Sequence, residues 1–245
     1  MISCPDPACF LADCHLPLVR VRGREEDLLR VVRFLRSIAS HASTLFLVGD
    51  LFDFWFEWRR AVPRGVFPVL AALHELVRDG KRVFFLAGNH DGHPGDFLAR
   101  EVGLEVHRGA VDAEIRGKRF HVVHGDGIAA QDRGYRALRT VVRWQFTEKV
   151  FRLVHPDIGV WLAAKLSRVS RSRLSREDKF GPEPYRRYAR AKLDAGFNYV
   201  VMGHRHVAEW LPHPNGGYLS VGGWMKGGGY GIFEGGELKL EYFQA

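Results

Sequence analysis

Residues 44–53 read Thr-Leu-Phe-Leu-Val-Gly-Asp-Leu-Phe-Asp, an apolar run that ends in a glycine and two aspartates. Short runs rich in Val, Phe and Leu that end at a glycine or a turn are typical of buried strands. The same arrangement occurs four more times, after the runs CFLA, RVFFLA, RFHVV and NYVVM. The polar blocks that follow are Asp13-Cys14-His15, Gly88-Asn89-His90-Asp91, His124-Gly125-Asp126 and Gly203-His204-Arg205-His206. Catalytic groups of layered α/β proteins cluster where strands end, so we expect all five blocks at one edge of a sheet.

The segments around these blocks alternate between strand-like and helix-like patterns. Helices are predicted over residues 25–38 and 65–78, and strands over 8–12, 44–48 and 82–87. A hairpin follows over 111–115 and 119–123, and the chain ends in strands 198–202, 218–222, 230–233 and 237–243. Strands that alternate with helices are typical of layered structures, so the predicted fold class is α/β.

Residues 128–196 interrupt this alternation. They contain no clear strand pattern and are predicted to form two or three helices, of which the last spans 185–195. Apolar residues such as Trp144, Phe151 and Trp161 lie between arginines in this stretch. We therefore expect a core of residues 1–127 and 197–245 that is interrupted by a helical insertion, 128–196.

The composition describes a globular chain. Of its 245 residues, 46% are hydrophobic, which is sufficient for a large core. No apolar run approaches the ~20 residues that cross a bilayer. The first residues lack the basic start and apolar stretch of a secretory signal, so we expect a cytoplasmic protein. Three cysteines crowded near the start (Cys4, Cys9 and Cys14) give no disulfide framework, in agreement with a reducing compartment.

Positive charge is concentrated in the predicted insertion. The whole chain carries a formal charge of +8, whereas residues 133–190 contain twelve Arg and three Lys against five acidic residues. The remainder of the chain is therefore slightly acidic. A basic segment of this kind could face the phosphates of nucleic acid, of lipid headgroups or of a substrate.

The residue types in the five blocks suit a pair of divalent metal ions. Two ions about 3.5–4 Å apart can activate water and neutralise the oxygens of a phosphoryl displacement. Side chains alternate along extended backbone, so both residues of the Asp-x-His pair should point to one side, as should both of the His-x-His pair. Asp50, directly after a strand and a glycine, is the natural bridging carboxylate, and Asn89 offers a neutral amide oxygen.

Each block also has a structural explanation when it is considered alone. A single Asp-x-His is common by chance, a single His-Gly-Asp is common in turns, Asn89 could be a turn residue, and Asp53 could be a helix N-cap. Five such blocks in this order at strand ends are hard to obtain by chance. The metal-site interpretation is therefore favoured.

In the order of its motifs the chain resembles the calcineurin-like metallophosphoesterase family. The motifs are Asp-x-His, Gly-Asp-x-x-Asp, Gly-Asn-His-Asp, His and Gly-His-x-His, and they extend from residue 13 to residue 206. The resemblance implies a β-sandwich of two sheets flanked by helices in four layers, with the insertion as a helical cap. It also implies two divalent ions, with manganese favoured and iron or zinc as alternatives.

The same resemblance assigns a role to each block. It implies one ion on Asp13, His15, Asp50 and His206, and a second ion on Asp50, Asn89, His124 and His204. It places His90 beside the scissile phosphate as an acid or a transition-state stabiliser, with Asp91 orienting the His90 ring. Water activated by the ions would be the nucleophile.

Further stretches resemble one branch of that family, the UDP-2,3-diacylglucosamine pyrophosphatases of lipid A synthesis. They are GDLFDFW (49–55) and DRGYRALR (132–139), and the likeness continues through 155–159 and 167–171. The resemblance implies hydrolysis of the substrate to UMP and 2,3-diacylglucosamine 1-phosphate (lipid X), under a cap that shelters the acyl chains. The candidate substrate contacts are Asp132, Tyr135, Arg168 and Ser170. A peripheral position on the inner face of the inner membrane is expected, and a nucleic-acid partner is not.

Three residues depart from this branch, one of which is Cys14, where Leu is common. None removes a ligand, but His90 keeps other functions open. Many of its members carry Arg where this chain has His90, and Thr is usual where this chain has Arg205. The alternative enzyme is a phosphodiesterase or pyrophosphatase that acts on soluble nucleotides. A further alternative is a basic module that binds membranes or nucleic acid without catalysis, against which the complete ligand set argues.

Overall fold

The computed structural model describes residues 1–19, 24–129, 150–162, 165 and 181–244. The strands in these ranges are β1 (Ile2–Cys4), β2 (Ala8–Leu11), β3 (Thr44–Leu47), β4 (Arg82–Leu86), β5 (Glu105–His107), β6 (Val111–Ile115), β7 (Lys118–Val123), β8 (Tyr199–Met202), β9 (Glu209–His213), β10 (Gly216–Ser220), β11 (Gly229–Glu234) and β12 (Glu237–Tyr242). The longer helices are α1 (Glu25–Ile38), α2 (Phe67–Arg78) and α3 (Glu183–Asp194). Shorter helical turns lie at Arg64–Val66, Leu98–Val102 and Trp224–Lys226, and residues 156–162 are also helical.

The strands form two mixed six-stranded sheets. The first has the order β12-β11-β2-β3-β4-β5, and the second has the order β1-β6-β7-β8-β10-β9. The polar blocks follow β2, β3 and β4 in the first sheet but β7 and β8 in the second. The expectation that all five blocks lie at one edge of a single sheet is therefore wrong, because the β6–β7 hairpin and β8 belong to a separate sheet.

Aromatic side chains hold the two sheets together. Phe10, Phe46 and Phe84, one from each central strand of the first sheet, stack with ring centroids 5.0 and 4.6 Å apart. Phe120 of β7 meets this row from the second sheet, 5.7 Å from Phe10. The residues on either side of each phenylalanine point the other way, towards the helices, as strand geometry requires. The central strands are therefore buried on both faces.

Helices cover the outer face of each sheet. Leu35 of α1 and Leu73 of α2 belong to the apolar cluster on the outer side of the first sheet. Ala189 and Leu193 of α3 pack in the same way on the second sheet. The resulting order of helix, sheet, sheet and helix confirms the predicted four-layer α/β fold.

The predicted insertion is only partly described. Its last helix, α3, packs on β8 and β10 of the core. Most of the stretch 130–180 lies outside the described residues, so the domain boundaries and the cap remain predictions. No helix in the described part of the chain is long and apolar enough to cross a membrane.

Most elements lie close to their predicted bounds. α1 begins and ends where the sequence predicts, with Glu25, Glu26 and Asp27 in its first turn, where acidic side chains are favourable. Three strands were not predicted, namely β1, β5 and β9, and each lies at the edge of its sheet. β1 and β5 have three residues each, and no side chain of β5 or β9 is fully buried, so none of the three has the long buried run that marks a central strand.

Candidate metal centre

The five polar blocks meet at one end of the sandwich, where their backbone is strained. Left-handed φ angles between 45° and 69° occur at Asp13, His15, Asp50, His204 and His206. Residues other than glycine rarely adopt this conformation, and each instance costs about 1–3 kcal/mol. The argument from strand alternation is therefore wrong, because tight left-handed turns direct both side chains of each spaced pair inward.

Hydrogen bonds between neighbouring loops hold these turns. The backbone N–H of Asp13 donates to the carbonyl of Gly49 at 3.1 Å, and that of His15 donates to the carbonyl of Asp50 at 3.0 Å. The loop after β2 is thus attached to the loop after β3 at both of its candidate ligands. Hydrogen bonds at both residues hold the backbone in place, and strained conformations persist only when the surrounding structure holds them in this way.

One half of the cluster consists of Asp13, His15 and His206. Nε2 of His15 lies 2.9 Å from Nε2 of His206, which in turn lies 3.6 Å from Oδ1 of Asp13. The ligand atoms of these three residues all lie within 4.8 Å of one another. Oδ2 of Asp50 is 3.9 Å from Nε2 of His15. This arrangement can hold one ion.

The other half consists of Asn89, His124 and His204. Oδ1 of Asn89 lies 3.1 Å from Nε2 of His124 and 3.0 Å from Nδ1 of His204. Oδ2 of Asp50 lies 3.4 Å from Nε2 of His124, so this carboxylate reaches both halves. The structure thus brings together all seven residues predicted as metal ligands, with Asp50 between the two groups.

The cluster fits divalent cations. Neither carboxylate oxygen of the fully buried Asp13 has a hydrogen-bond partner among the described residues. A buried carboxylate of this kind is costly unless a positive charge compensates it. Metal–nitrogen bonds are about 2.0–2.1 Å long, so two ring nitrogens at right angles on one ion lie about 3 Å apart. His15 and His206 have this separation, and the mixture of carboxylate, amide and imidazole donors suits manganese, iron or zinc.

Burial and neighbouring charges set the protonation of the cluster. Burial lowers the pKa of His15 and of His204 to about 3, so both rings stay neutral and keep a lone pair that can bind a metal ion. Burial opposes ionisation of Asp50, but the facing His124 holds its pKa well below the usual range. Burial also opposes protonation of His124, yet Asp50 raises the pKa of that ring to about 10. The proton on His124 compensates the same charge that a divalent cation would compensate.

His90 and Asp91 lie beside the cluster but do not interact as predicted. Nδ1 of His90 donates to the carbonyl of Asp53 at 2.9 Å, and its buried Nε2 has no hydrogen-bond partner among the described residues. The ring of His90 meets that of His15 edge-on, with centroids 4.8 Å apart. The prediction that Asp91 orients this ring is wrong, because the Asp91 carboxylate accepts backbone N–H groups instead. These donors are Gly88 (2.8 Å), Asp50 (3.2 Å), Leu51 (2.8 Å) and Phe52 (3.4 Å).

The sequence did not indicate a functional role for Arg24, and it offered a helix N-cap as one explanation for Asp53. No helix begins at Asp53, so it is not an N-cap. Its carboxylate accepts Nη1 of Arg24 at 3.1 Å, while Nη2 of Arg24 donates to the carbonyl of His15 at 2.9 Å. No local pattern distinguishes Arg24 from the other arginines. Its contacts depend on loops that are distant in sequence.

The last helix of the predicted insertion also contacts a ligand loop. Nη1 of Arg205 donates to Oε2 of Glu209 at 3.1 Å, and its guanidinium lies 5.6 Å from the centre of the Tyr185 ring. Arg186 of α3 donates to the same carboxylate from Nε at 2.9 Å. These contacts attach the start of α3 to the segment that carries His204 and His206.

A comparison with protein families agrees with this geometry. Residues 7–208 match the family model of the calcineurin-like phosphoesterases, which covers most of the chain and all five polar blocks. The chain belongs to the calcineurin-like phosphoesterase family. It is therefore a hydrolase, and membership implies divalent metal ions, which the buried cluster contains groups able to hold.

Several relatives of this phosphoesterase share one name. A UDP-2,3-diacylglucosamine hydrolase of Porphyromonas gingivalis is 29% identical over 250 residues, 95% of each chain. Proteins of that name from Neisseria meningitidis serogroup B and Photorhabdus laumondii are each 28% identical, over 86% and 83% of this chain and 86% and 79% of theirs. Among solved structures, an archaeal phosphodiesterase covers 97% of this chain and 99% of its own, with a TM-score of 0.49 and 12% identity.

Glycines in two of the polar blocks leave room for the candidate metal ligands of this phosphoesterase. A Cβ atom at Gly88 would lie 2.1 Å from Oδ1 of Asp50, and one at Gly49 would lie 2.4 Å from Nδ1 of His124. Gly49 also has a left-handed φ of 85°, whereas Gly88 does not have a left-handed φ. Close packing against the Asp50 carboxylate is therefore the reason for glycine at position 88.

Replacing Gly88 with alanine should displace Asp50 and weaken metal binding. We expect Mn²⁺ affinity to fall by about 10-fold or more, as it does when groups that support metal ligands are disturbed. Isothermal titration calorimetry of the metal-free protein measures this. Gly109→Ala is the matched control, since a Cβ there meets nothing within 4 Å and its φ is not left-handed. Equal affinities in the two variants would contradict the steric role of Gly88.

Proposed function

We propose that this phosphoesterase hydrolyses the diphosphate of UDP-2,3-diacylglucosamine to UMP and 2,3-diacylglucosamine 1-phosphate, with manganese as its metal. The proposal is carried by the buried cluster of candidate metal ligands together with one relative. That relative is named UDP-2,3-diacylglucosamine hydrolase and aligns with 95% of this chain. A phosphodiesterase for soluble nucleotides would use the same cluster. The names of the relatives favour the lipid-linked substrate.

Two ions would be held by the two halves of the cluster. Their proposed ligands are Asp13, His15, Asp50 and His206 for one ion, and Asp50, Asn89, His124 and His204 for the other. When bound, the ions supply Lewis acidity for displacement at phosphorus. The residues of the chain keep the Asp50 carboxylate ionised, and burial keeps the imidazoles of His15 and His204 neutral for ligation. Nδ1 of His124 donates to the carbonyl of Val48 at 2.9 Å, so Nε2 is the atom that would lose its proton and face the metal.

His90 is proposed to act on the reacting phosphate. The hydrogen bond from its Nδ1 to the Asp53 carbonyl fixes the ring, and Nε2 remains for a contact with substrate. A protonated Nε2 can donate a hydrogen bond to a phosphoryl oxygen or a proton to the leaving group. Asp91 acts indirectly, because it holds the backbone of the loops that carry His90 and Asp50.

Aromatic residues connect the site loops to the predicted insertion and support an apolar surface for the acyl chains. The rings of Phe54, Phe56 and Trp58 pack on Phe151 with centroid distances of 5.8, 4.7 and 5.8 Å. Nε1 of Trp58 also donates to the carbonyl of Val154 at 2.9 Å. The proposed polar contacts with substrate, Asp132, Tyr135, Arg168 and Ser170, lie outside the described residues and stay predictions.

Peripheral attachment to the inner face of the inner membrane, with the site in the cytoplasm, is part of the proposal. The segment 150–162 exposes Leu153 (87%), Ile158 (58%) and Trp161 (59%) to solvent. Nζ of Lys165 lies 5.3 Å from the centre of the Trp161 ring. Exposed aliphatic side chains beside a tryptophan and a cation are typical of segments that lie in a membrane interface.

Turnover of UDP-2,3-diacylglucosamine tests the proposed substrate. We expect the Mn²⁺-loaded protein to release UMP and the diacyl sugar phosphate, and the EDTA-treated protein to release neither, since the displacement needs the ions. Mass spectrometry identifies the products, and Asp50→Asn serves as the inactive reference. Rapid cleavage of simple nucleotide diphosphates without turnover of the diacyl substrate would contradict the proposal and support the soluble-nucleotide alternative.

Replacing His90 with glutamine should separate catalysis from metal binding. Loss of proton donation should lower kcat by about 10²–10⁴-fold. Mn²⁺ affinity should stay near that of the unaltered protein, because His90 is not a proposed ligand. His41→Gln, at an exposed position, is the control. Since His15, Asp50 and His90 also lie within ligand distance of one another, loss of one bound ion in the variant would show instead that His90 is a ligand.

Polar substitution of the exposed apolar residues should reduce membrane binding. Each buried apolar side chain contributes about 1.5–3 kcal/mol, so Leu153→Ser with Trp161→Ser should weaken binding by at least about 10-fold. Co-sedimentation with vesicles of phosphatidylethanolamine and phosphatidylglycerol measures this. Tyr242→Ser is the control, since Tyr242 is 56% exposed on β12. Binding that is equal in all variants would rule out this segment as the membrane contact.

A further inference from the structure

Arg24 connects several loops around the metal cluster. Its Nε donates to Oδ2 of Asp27 at 2.7 Å, its Nη1 to Oδ2 of Asp53 at 3.1 Å, and its Nη2 to the carbonyl of His15 at 2.9 Å. The side chain of Arg24 is 21% exposed and that of Asp53 is 7% exposed. A charge pair that is largely withdrawn from water is screened less than one on an open surface.

Asp53 extends the contact of Arg24 to two functional side chains. Its Oδ1 lies 3.8 Å from Nδ1 of His15, and its carbonyl accepts Nδ1 of His90. Histidines that bind a metal commonly direct their second ring nitrogen towards a carboxylate or a carbonyl, which fixes the ring orientation. Asp53 therefore fixes the proposed catalytic histidine by a hydrogen bond and faces the second ring nitrogen of a proposed ligand at a distance too long for one, and Arg24 holds Asp53.

The hydrogen bond from Arg24 to the carbonyl of His15 acts on strained backbone. His15 has a φ of 45°, and its carbonyl is the group that Arg24 binds. Strain of this kind persists only while the surrounding structure enforces it. Loss of the guanidinium would remove one of the groups that hold the His15 turn, and the ring would then lose its defined position.

We propose that Arg24 is a positioning residue that sets the metal affinity of the half formed by Asp13, His15 and His206. Among the described residues its hydrogen bonds go to Asp27, Asp53, His15 and Met225. None of these belongs to the other half, Asn89, His124 and His204. Arg24 therefore acts on one ion more than on the other. The inference rests on the proposed ligand assignment and is independent of which phosphoester is cleaved.

Arg24→Met tests this inference, because methionine keeps an unbranched side chain but removes all the donors. Mn²⁺ titration of the metal-free protein should show one of two sites weakened by about 10–100-fold, the usual cost of losing a group that supports a ligand. The affinity of the other site should be unchanged. The electron paramagnetic resonance signal of a coupled Mn²⁺ pair should therefore appear only at higher metal concentration. Arg36→Met, at an exposed position of α1, the helix that Arg24 precedes, is the matched control.

Further variants distinguish positioning from a general effect on folding. Arg24→Lys retains a charge and donors and should recover part of the affinity, and it provides the test if Arg24→Met does not fold. Asp53→Asn should weaken the same site, and the double variant should bind no worse than the weaker single variant, because the two residues act as a unit. Urea denaturation of the metal-free proteins measures stability separately from metal binding.

Two results would overturn the inference. They are unchanged affinity at both sites in a folded Arg24 variant, and equal losses at both sites. If the unaltered protein did not bind two Mn²⁺ ions, the ligand assignment itself would fail, whatever the behaviour of the Arg24 variants.

Discussion

The structure depends on compensation of one buried negative charge, the carboxylate of Asp50. It lies at the end of a strand that is covered on both faces, and a second buried carboxylate, Asp13, lies close by. Removing such groups from water is costly unless opposite charge or hydrogen bonds replace the solvent. The N–H of His90 donates to Oδ1 of Asp50 at 2.8 Å, and surrounding imidazoles keep its pKa low. Buried carboxylates grouped in this way are suited to bind a cation.

The sandwich keeps that charge where the histidines of both sheets can reach it. The row formed by Phe10, Phe46 and Phe84 sets the register of the first sheet, because a slip of one residue would turn each phenylalanine towards the helices. Phe120 of β7 packs on this row from the second sheet, so the strands that carry Asp50 and His124 belong to one packed core. A rigid core thereby supports strained turns at its rim, which would relax in a more mobile setting.

Much of this arrangement could be predicted from sequence because its signals are local. The strands β2, β3 and β4 are continuous apolar runs, and each is followed directly by the polar residues of the cluster. What could not be predicted depends on pairing between distant segments. Edge strands such as β1 have no buried run, and the assignment of β7 and β8 to a second sheet is set by their partners. The role of Arg24 likewise depends on its meeting Asp53, which lies 29 residues further along the chain.

The attachment of α3 to the last ligand loop bears on how such enzymes diversify. Arg186 and Arg205 share Glu209, and Tyr185 lies under Arg205, so the chain re-enters the core at a fixed point whatever precedes it. The preceding stretch can then change in length or composition without moving the histidines. Natural selection for a new substrate can act on that stretch alone, while descendants inherit the hydrolytic chemistry intact.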